Sequence, residues 1–144
     1  MVSIKWCSKQ RQGLELREPS KTISDSYINM ATESIKVLND IKESKLWKAT
    51  TAYYIFYYSL YALMIKIGIK CEIHSCSLKF MEKYLNELYN QKDREMINNA
   101  FSARINLQYY TDRPVDEKTI EGISRYAKDF HIRTKDILSR ITEK

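Results

Sequence analysis

Apolar residues recur at three- and four-residue intervals along most of the chain, which is the spacing of one face of an α-helix. These intervals predict five helices, at residues 25–43, 45–67, 76–89, 92–110 and 116–142. Only 3 glycines and 2 prolines interrupt the 144 residues, so we do not expect many short strands joined by turns. We predict an all-α fold, an up-and-down bundle of four to five helices that follows a short basic arm.

The second predicted helix contains the most apolar stretch of the sequence. The 17 residues from Ala49 to Ile65 carry no charge and lie between Lys48 and Lys66, a length at the lower limit for a membrane span. Five of the 17 are tyrosines, and they are spread through the middle of the stretch rather than gathered at its ends. A buried phenol needs a hydrogen-bond partner, which a protein core supplies and lipid does not. We expect a central core helix that ends at Gly68, without membrane contact.

Residues 1–24 differ in composition from the helical region at 25–144, and we treat them as a basic N-terminal arm. Five basic residues against two acidic ones give the arm a net charge of +3, half of the +6 carried by the whole chain. Short apolar runs around Ile4 and Leu14 suit extended segments, in a hairpin that Trp6 would dock. A positive charge of this size favours partners that carry phosphate.

The three cysteines indicate a reducing environment. Cys7, Cys71 and Cys76 cannot all pair within one chain, and the first residues do not resemble an export signal, so we predict a cytoplasmic protein. Cys71, His74 and Cys76 are also spaced as three metal ligands, but a structural zinc site needs four, and only Cys7 and His131 remain. The simpler alternative is that Cys71 and Cys76 are small buried residues. On that alternative we predict no metal and no cofactor.

Arg104 is the most informative single residue. Apolar residues three and four positions away place it on the buried stripe of the fourth predicted helix, where an arginine must pair, extend to solvent or face a cleft. It is either a structural arginine bonded to a carboxylate or helix-end carbonyls, or a guanidinium that lines a groove and binds phosphate. The same helix ends near Tyr109, Tyr110 and Arg113. Stacking combined with phosphate contact is how proteins hold single-stranded nucleic acid or a nucleotide.

Common catalytic motifs are absent from the sequence. There is no glycine-rich phosphate loop, nucleophile elbow, zinc-protease helix or calcium loop. A catalytic histidine would have to be His74 or His131, the two histidines of the chain. His131 falls one position from the apolar stripe of the last helix, and we expect it to face solvent. Asp116, Glu117 and Glu121 begin that helix, where they complement its dipole and need no catalytic role.

Four segments together resemble a known family. The aromatic run Ala-Tyr-Tyr-Ile-Phe-Tyr-Tyr-Ser-Leu-Tyr-Ala-Leu at 52–63 resembles the second helix of that family, and Gly68 followed by His74 and a serine resembles its next connection. The segment Ala-Arg-Ile-Asn-Leu-Gln-Tyr-Tyr at 103–110 resembles its arginine-bearing fourth helix, and Ala-x-x-Phe at 127–130 resembles its last helix. In order and spacing, over most of the chain, these segments are similar to the HEPN family (higher eukaryotes and prokaryotes nucleotide-binding domain), in its small stand-alone archaeal and bacterial branch.

The resemblance implies a helical bundle, often a two-fold dimer whose arginine-bearing helices face a shared cleft. Active members are metal-independent ribonucleases in which the arginine is followed at a short interval by a histidine. The arginine stabilises charge on the scissile phosphate, and the histidine moves protons as the 2′-hydroxyl attacks. Many members pair with a nucleotidyltransferase in toxin–antitoxin fashion. Here Arg104 matches the arginine, but Tyr109 stands where the histidine is expected, and His74 reaches Arg104 only if its loop folds over the site.

These observations favour a HEPN-like domain that binds RNA or a nucleotide through Arg104, Tyr109, Tyr110, Arg113 and His74. The resemblance implies that the protein is a homodimer and a candidate partner of a nucleotidyltransferase. One alternative is an active metal-independent endoribonuclease toxin, with Arg104, Tyr109 and Tyr110 as catalytic residues or with His74 in place of the missing histidine. A phenol is a poor base at neutral pH, whereas an imidazole is well suited. The other alternative is an interaction subunit in which Arg104 is purely structural.

Overall fold

The computed structural model describes residues 2–141, and most of them are helical. The helices follow in the order α1 (Ile4–Lys9), α2 (Lys21–Asp40), α3 (Lys45–Ile67), α4 (His74–Tyr84), α5 (Gln91–Tyr109) and α6 (Glu117–Arg140). Two strands of two residues each, β1 (Glu15–Leu16) and β2 (Ile69–Lys70), pair in antiparallel register. The predicted all-α helical bundle is confirmed for this part of the chain.

Helix α3 is the centre of the bundle. It begins after Ser44, whose hydroxyl accepts a hydrogen bond from the Trp47 backbone N–H. It ends at Gly68, which adopts a left-handed φ of 95° that a side chain would disfavour. Of its 23 residues 13 are buried, so the predicted core helix at 45–67 is confirmed. No helix among residues 2–141 is long enough and apolar enough to cross a membrane.

Helices α2, α5 and α6 pack around α3 on different sides. From α2, the Ser24 hydroxyl donates a hydrogen bond of 2.8 Å to the Ala62 carbonyl. On the α6 side, the rings of Phe130 and Phe56 lie 5.0 Å apart. On the α5 side, the ring of Phe101 lies 5.4 Å from that of Tyr53. Because α3 is covered on all these sides, its apolar residues are buried nearly all round the helix.

The N-terminal segment is held to the bundle by a disulfide and by the β1–β2 pairing. Cys7 of α1 is bonded to Cys76 of α4, and Cys71 is free, so two of the three cysteines pair although their odd number indicated a reducing environment. The expected hairpin docked by Trp6 is also wrong, because Ser3 caps a helical turn and leaves Trp6 44% exposed. Cys7, rather than Trp6, is the fully buried residue of α1.

The observed helix limits differ from the predicted ones where caps or turns intervene. Helix α2 begins at Lys21, four residues before the predicted start at residue 25, because Ser20 accepts the capping hydrogen bond from the Ile23 backbone N–H. Helix α4 ends at Tyr84, five residues before the predicted end at residue 89. The apolar spacing continues through Leu85, but the residues there form a turn rather than helix. Helices α5 and α6 each begin within one residue of the predicted positions. The predicted end of the last helix at residue 142 lies outside the described residues.

A buried carboxylate fixes α5 against α6. Asp93 is fully buried, and its Oδ1 accepts a 2.7 Å hydrogen bond from the Tyr126 hydroxyl. Its Oδ2 lies 3.1 Å from Nε of Arg133 and accepts a hydrogen bond from the Asn90 backbone. Burial, followed by the hydrogen bond to Asp93, raises the pKa of Tyr126 to about 12. Both carboxylate oxygens have partners, so this network is structural.

The disulfide should contribute measurably to stability. Replacing both Cys7 and Cys76 with serine should lower the free energy of unfolding by about 2–4 kcal/mol, because the bond joins residues 69 positions apart. Urea unfolding followed by circular dichroism measures the difference. A reducing agent should destabilise the wild-type protein to a similar extent and leave the double variant unchanged. If the reducing agent leaves the stability of the wild-type protein unchanged, the predicted contribution of the disulfide is wrong.

Candidate functional site

The candidate site is built on three tyrosines of α3. Tyr53 and Tyr57 are one helical turn apart on the same face, and their rings stack with centroids 6.0 Å apart. Tyr54 lies beside them, with its ring 5.4 Å from that of Tyr53 at a steep angle. Tyr53 has no exposed surface, whereas Tyr54 is partly exposed. The three rings form an aromatic platform that begins in the core and reaches the surface.

Arg104 of α5 lies against this aromatic platform. Its guanidinium carbon is 5.0 Å from the ring centroid of Tyr53, 5.7 Å from that of Tyr54 and 5.9 Å from that of Phe101. Its one side-chain hydrogen bond within residues 2–141 is a long one, 3.4 Å to Oε1 of Gln108, and its buried Nε has no partner. No carboxylate in this part of the chain forms an ion pair with it. Arg104 is therefore a half-buried cation on aromatic faces with unused donors.

His74, the first residue of α4, contacts the same aromatic platform. Its Nδ1 is 2.8 Å from the Tyr53 hydroxyl, and its ring stacks on that of Tyr57 with centroids 3.9 Å apart. Burial, and then the nearby charge of Arg104, lowers the pKa of His74 to about 4. The imidazole is therefore neutral at pH 7. Its Nε2 has no hydrogen-bond partner among the described residues, and in the tautomer whose Nδ1 donates to the Tyr53 oxygen this Nε2 is an acceptor for a ligand.

The loop that places His74 is tied to α3 by buried hydroxyl groups. The Tyr61 hydroxyl accepts a 3.0 Å hydrogen bond from the Cys71 backbone N–H, and the Tyr57 hydroxyl donates one of 3.3 Å to the Cys71 carbonyl. Helix α4 begins without a side-chain cap, so its start is not set locally. Contacts with α3, together with the bond from Cys76 to Cys7, hold the loop over the site.

The predicted residues at the end of α5 form a separate group. Tyr109 follows Arg104 by five residues, which places it about 140° further round the helix, and it is 65% exposed. The guanidinium of Arg113 covers the ring of Tyr110 at 3.9 Å from its centroid. The structure thus joins Arg104 with His74, and Tyr110 with Arg113, rather than Arg104 with Tyr109.

The expectation that His131 faces solvent is wrong. The residue is 5% exposed and lies between α2 and α3, with its Nε2 3.2 Å from the Thr32 hydroxyl and its Nδ1 3.2 Å from that of Ser59. Burial, followed by the charge of Lys135, lowers its pKa. Because both ring nitrogens have partners, His131 is a core residue and does not belong to the candidate site.

The three residues with metal-ligand spacing do not form a site. Cys76 is consumed by its disulfide, and the imidazole of His74 is bonded to Tyr53. The buried Cys71 thiol donates to the Ile73 carbonyl, and burial raises its pKa. Within the part of the chain that the structure describes, no group of three or more histidine, cysteine or acidic residues could hold a metal ion.

Sequence reasoning placed all the α3 tyrosines in the core and therefore missed Tyr53 and Tyr54 as site residues. Their signal was the number of phenols in the uncharged stretch at 49–65, since each buried hydroxyl needs a partner outside its own helix. Phe101 was assigned to an apolar stripe in the same way, although one of its neighbours is the Arg104 guanidinium. Spacing along one helix identifies a face but not the side chains that meet it from other helices.

Comparison with known proteins does not assign the chain to a family. No family model matches the sequence, and no curated protein is significantly similar to it. The HEPN resemblance therefore rests on the four segments described above.

The two histidines predict a loss of stability in mild acid. Both have a pKa below the usual 6.5 in the folded protein, so the unfolded chain binds protons that the folded protein does not. Their contribution is complete above pH 6.5 and is lost as the pH falls towards the folded value, which is about 4 for His74. Between about pH 7 and pH 5, we expect the free energy of unfolding to fall by roughly 1 kcal/mol through His74, and His131 adds to the loss in the same direction.

Urea unfolding at the two pH values measures this loss, with His131→Asn and His74→Asn as comparisons. Each variant should lose less stability between the two pH values than the wild-type protein. An equal loss in the wild-type protein and both variants would assign the pH dependence to other groups.

Proposed function

We propose that this protein is a HEPN-type helical domain that binds RNA or a nucleotide, with Arg104 as its main phosphate contact. The observation that carries the proposal is the state of Arg104: a guanidinium on aromatic rings, with no ion pair among residues 2–141 and a buried Nε without a partner. A phosphate oxygen would satisfy these donors in a charge-assisted hydrogen bond. A purely structural arginine would be expected to have a carboxylate or helix-end carbonyls as partners.

Two further features support a nucleic-acid ligand. Tyr109 and Tyr110 are exposed at the end of the same helix, and Arg113 lies over the ring of Tyr110, so stacking and phosphate contacts could extend beyond Arg104. The net charge of +6 adds affinity for phosphate that does not depend on sequence.

The resemblance adds proposals about the setting of the protein. We propose a homodimer, and a nucleotidyltransferase as a partner in a toxin–antitoxin module. The cytoplasmic location stays a prediction. The Cys7–Cys76 disulfide weakens the basis of that prediction, which was a reducing environment, because such bonds are typical of oxidising compartments.

The first test is the affinity of the Arg104→Ala variant for a fluorescent single-stranded RNA. We expect affinity about ten-fold lower than that of the wild-type protein, because one charge-assisted contact is lost. The slope of log affinity against log salt concentration should become shallower by about one, the change expected when one phosphate contact is lost. Fluorescence anisotropy at two salt concentrations measures both quantities, and a melting curve of each protein accompanies it.

Arg140→Ala is the matched control, since Arg140 is an exposed arginine on α6 that pairs with Asp136. It removes the same charge and should leave affinity within about two-fold of wild type. Equal weakening by both variants would show that net charge alone binds RNA. A large fall in melting temperature with no separate loss of affinity would make Arg104 structural, as in the interaction-subunit alternative.

A specific observation also favours the second candidate function, a metal-independent ribonuclease. His74, rather than Tyr109, contacts the same Tyr53 and Tyr54 rings as Arg104, and the Nε2 of its neutral imidazole has no partner among residues 2–141. In that mechanism Nε2 accepts the proton of the 2′-hydroxyl, whose oxygen attacks phosphorus while Arg104 stabilises the charge on the phosphate. The bond from phosphorus to the 5′-oxygen breaks, the 5′-oxygen takes a proton from water while the proton on Nε2 returns to water, and the other product carries a 2′,3′-cyclic phosphate. Nδ1 would meanwhile donate to the Tyr53 oxygen.

Incubation of RNA with the protein in EDTA tests this candidate. We expect cleavage with 2′,3′-cyclic phosphate ends, and about a hundred-fold or greater loss of rate in His74→Asn, because a positioned general base contributes on that scale. RNA binding by His74→Asn should remain close to that of the wild-type protein, which separates catalysis from affinity.

A DNA strand of the same sequence lacks the 2′-hydroxyl and is the substrate control, which should stay intact. His131→Asn is the protein control, because the imidazole of His131 is buried and bonded to Thr32 and Ser59 rather than to the aromatic platform. Intact RNA with concentrated wild-type protein, or equal cleavage by the wild type and His74→Asn, would overturn the nuclease mechanism and leave the binding proposal in place.

A further inference from the structure

A polar groove lies where the end of α2, the start of α3 and the first half of α6 meet. Its volume is about 320 Å³, and its floor is formed by Leu38 and Ile120, both buried. This volume falls at the lower end of the range for small-molecule sites. The groove is therefore large enough for a small metabolite but not for a protein segment.

The walls of the groove carry an excess of positive charge. Lys48 of α3 and Arg125 and Lys128 of α6 line it, against one carboxylate, that of Glu121. Among the described residues, none of the three cations forms an ion pair, and Glu121 does not neutralise any of them. The Lys128 ammonium has one side-chain hydrogen bond, 2.6 Å to Oδ1 of Asn39, which holds it at the groove. Three cations and one carboxylate give the lining a net charge of +2, which a dianion would balance.

A hydroxyl group in the same groove lacks a partner. Ser124 lines it, and the Ser124 Oγ is buried with no hydrogen-bond partner among residues 2–141. Leaving a buried hydroxyl unpaired costs about 1–3 kcal/mol, so native proteins rarely do so without a ligand or water. Arg125 follows Ser124 directly, and Lys128 follows it by one helical turn. A bound oxygen-rich anion could therefore meet all three side chains from one side of α6.

This groove is separate from the Arg104 site. Lys48 is on the stripe of α3 that also carries Ser59, which contacts His131 of α6. Tyr53 is on a different face of α3, about 140° away, and faces α5. The two sites thus lie on different sides of the central helix and share no lining residue.

We propose that the groove between α2, α3 and α6 binds a small phosphomonoester, with Lys48, Arg125 and Lys128 as charge partners of the phosphate and the Ser124 hydroxyl as a hydrogen-bond donor. A dianionic phosphate balances the net positive lining and offers several acceptors to it. The rest of the ligand lies on the apolar floor formed by Leu38 and Ile120. This inference does not depend on RNA binding at Arg104.

Titration of inorganic phosphate into isotope-labelled protein, at constant ionic strength set with chloride, tests the inference. We expect saturable shifts of the backbone amide signals of residues 124–128. Arg125→Ala and Lys128→Ala should each weaken binding about ten-fold, since each removes one charged contact. Ser124→Ala should weaken it less. A sugar phosphate should bind at least as tightly as phosphate, because it also contacts the floor.

Lys36→Ala is the charge control, because Lys36 is an exposed lysine of α2 outside the groove. It should leave phosphate affinity unchanged, and Lys128→Gln provides a second groove variant should Lys128→Ala fail to fold. The proposal is overturned by linear, unsaturable shifts or by equal weakening in Lys36→Ala. It is also overturned if a 5′-phosphorylated RNA binds here while the sugar phosphate does not.

Discussion

The hydroxyl groups of the buried tyrosines in α3 are the constraint on which the rest of the structure depends. Tyr53, Tyr57 and Tyr61 are buried, and a phenol in a dry core must find a hydrogen-bond partner outside its own helix. Their partners all come from the segment that follows α3: His74 for Tyr53, both Ser77 and the Cys71 carbonyl for Tyr57, and the Cys71 N–H for Tyr61. The connection after α3 is therefore folded back onto the helix it leaves.

This folding back creates the candidate site. It brings the imidazole of His74 onto the tyrosine rings that Arg104 approaches from the opposite helix, α5. The disulfide between Cys7 and Cys76 holds the other side of α4, two residues beyond His74. The site thus combines a neutral base and an unpaired guanidinium around aromatic rings, although the two residues lie far apart in the sequence. The positions of both depend on packing rather than on a continuous motif.

Positive charge lies on two sides of the central helix, in surroundings that suit different ligands. On the α5 side, one guanidinium is partly buried among rings, which suits a ligand that offers both a phosphate and a surface for stacking. On the α6 side, three cations border an open groove with an apolar floor, which suits a compact anion. Three buried side-chain atoms lack a hydrogen-bond partner among residues 2–141, and two of them, Arg104 Nε and Ser124 Oγ, mark one side each; the third is Thr50 Oγ1. The Asp93 network between α5 and α6 has no such vacant group and is structural.

The sequence by itself determined the helical class, the central helix from residue 45 to residue 67 and the starts of α5 and α6 to within one residue. These features depend on the spacing of apolar residues and on local caps, which neighbouring residues decide. It also singled out Arg104 as an arginine on an apolar stripe. Only the tertiary structure decided that His74, rather than Tyr109, meets the same Tyr53 ring as Arg104, that His131 is buried and that Cys7 pairs with Cys76. Each of these outcomes joins residues from different elements, and such pairings are set by how the helices pack and by the need to satisfy buried polar groups, which spacing along one helix does not specify.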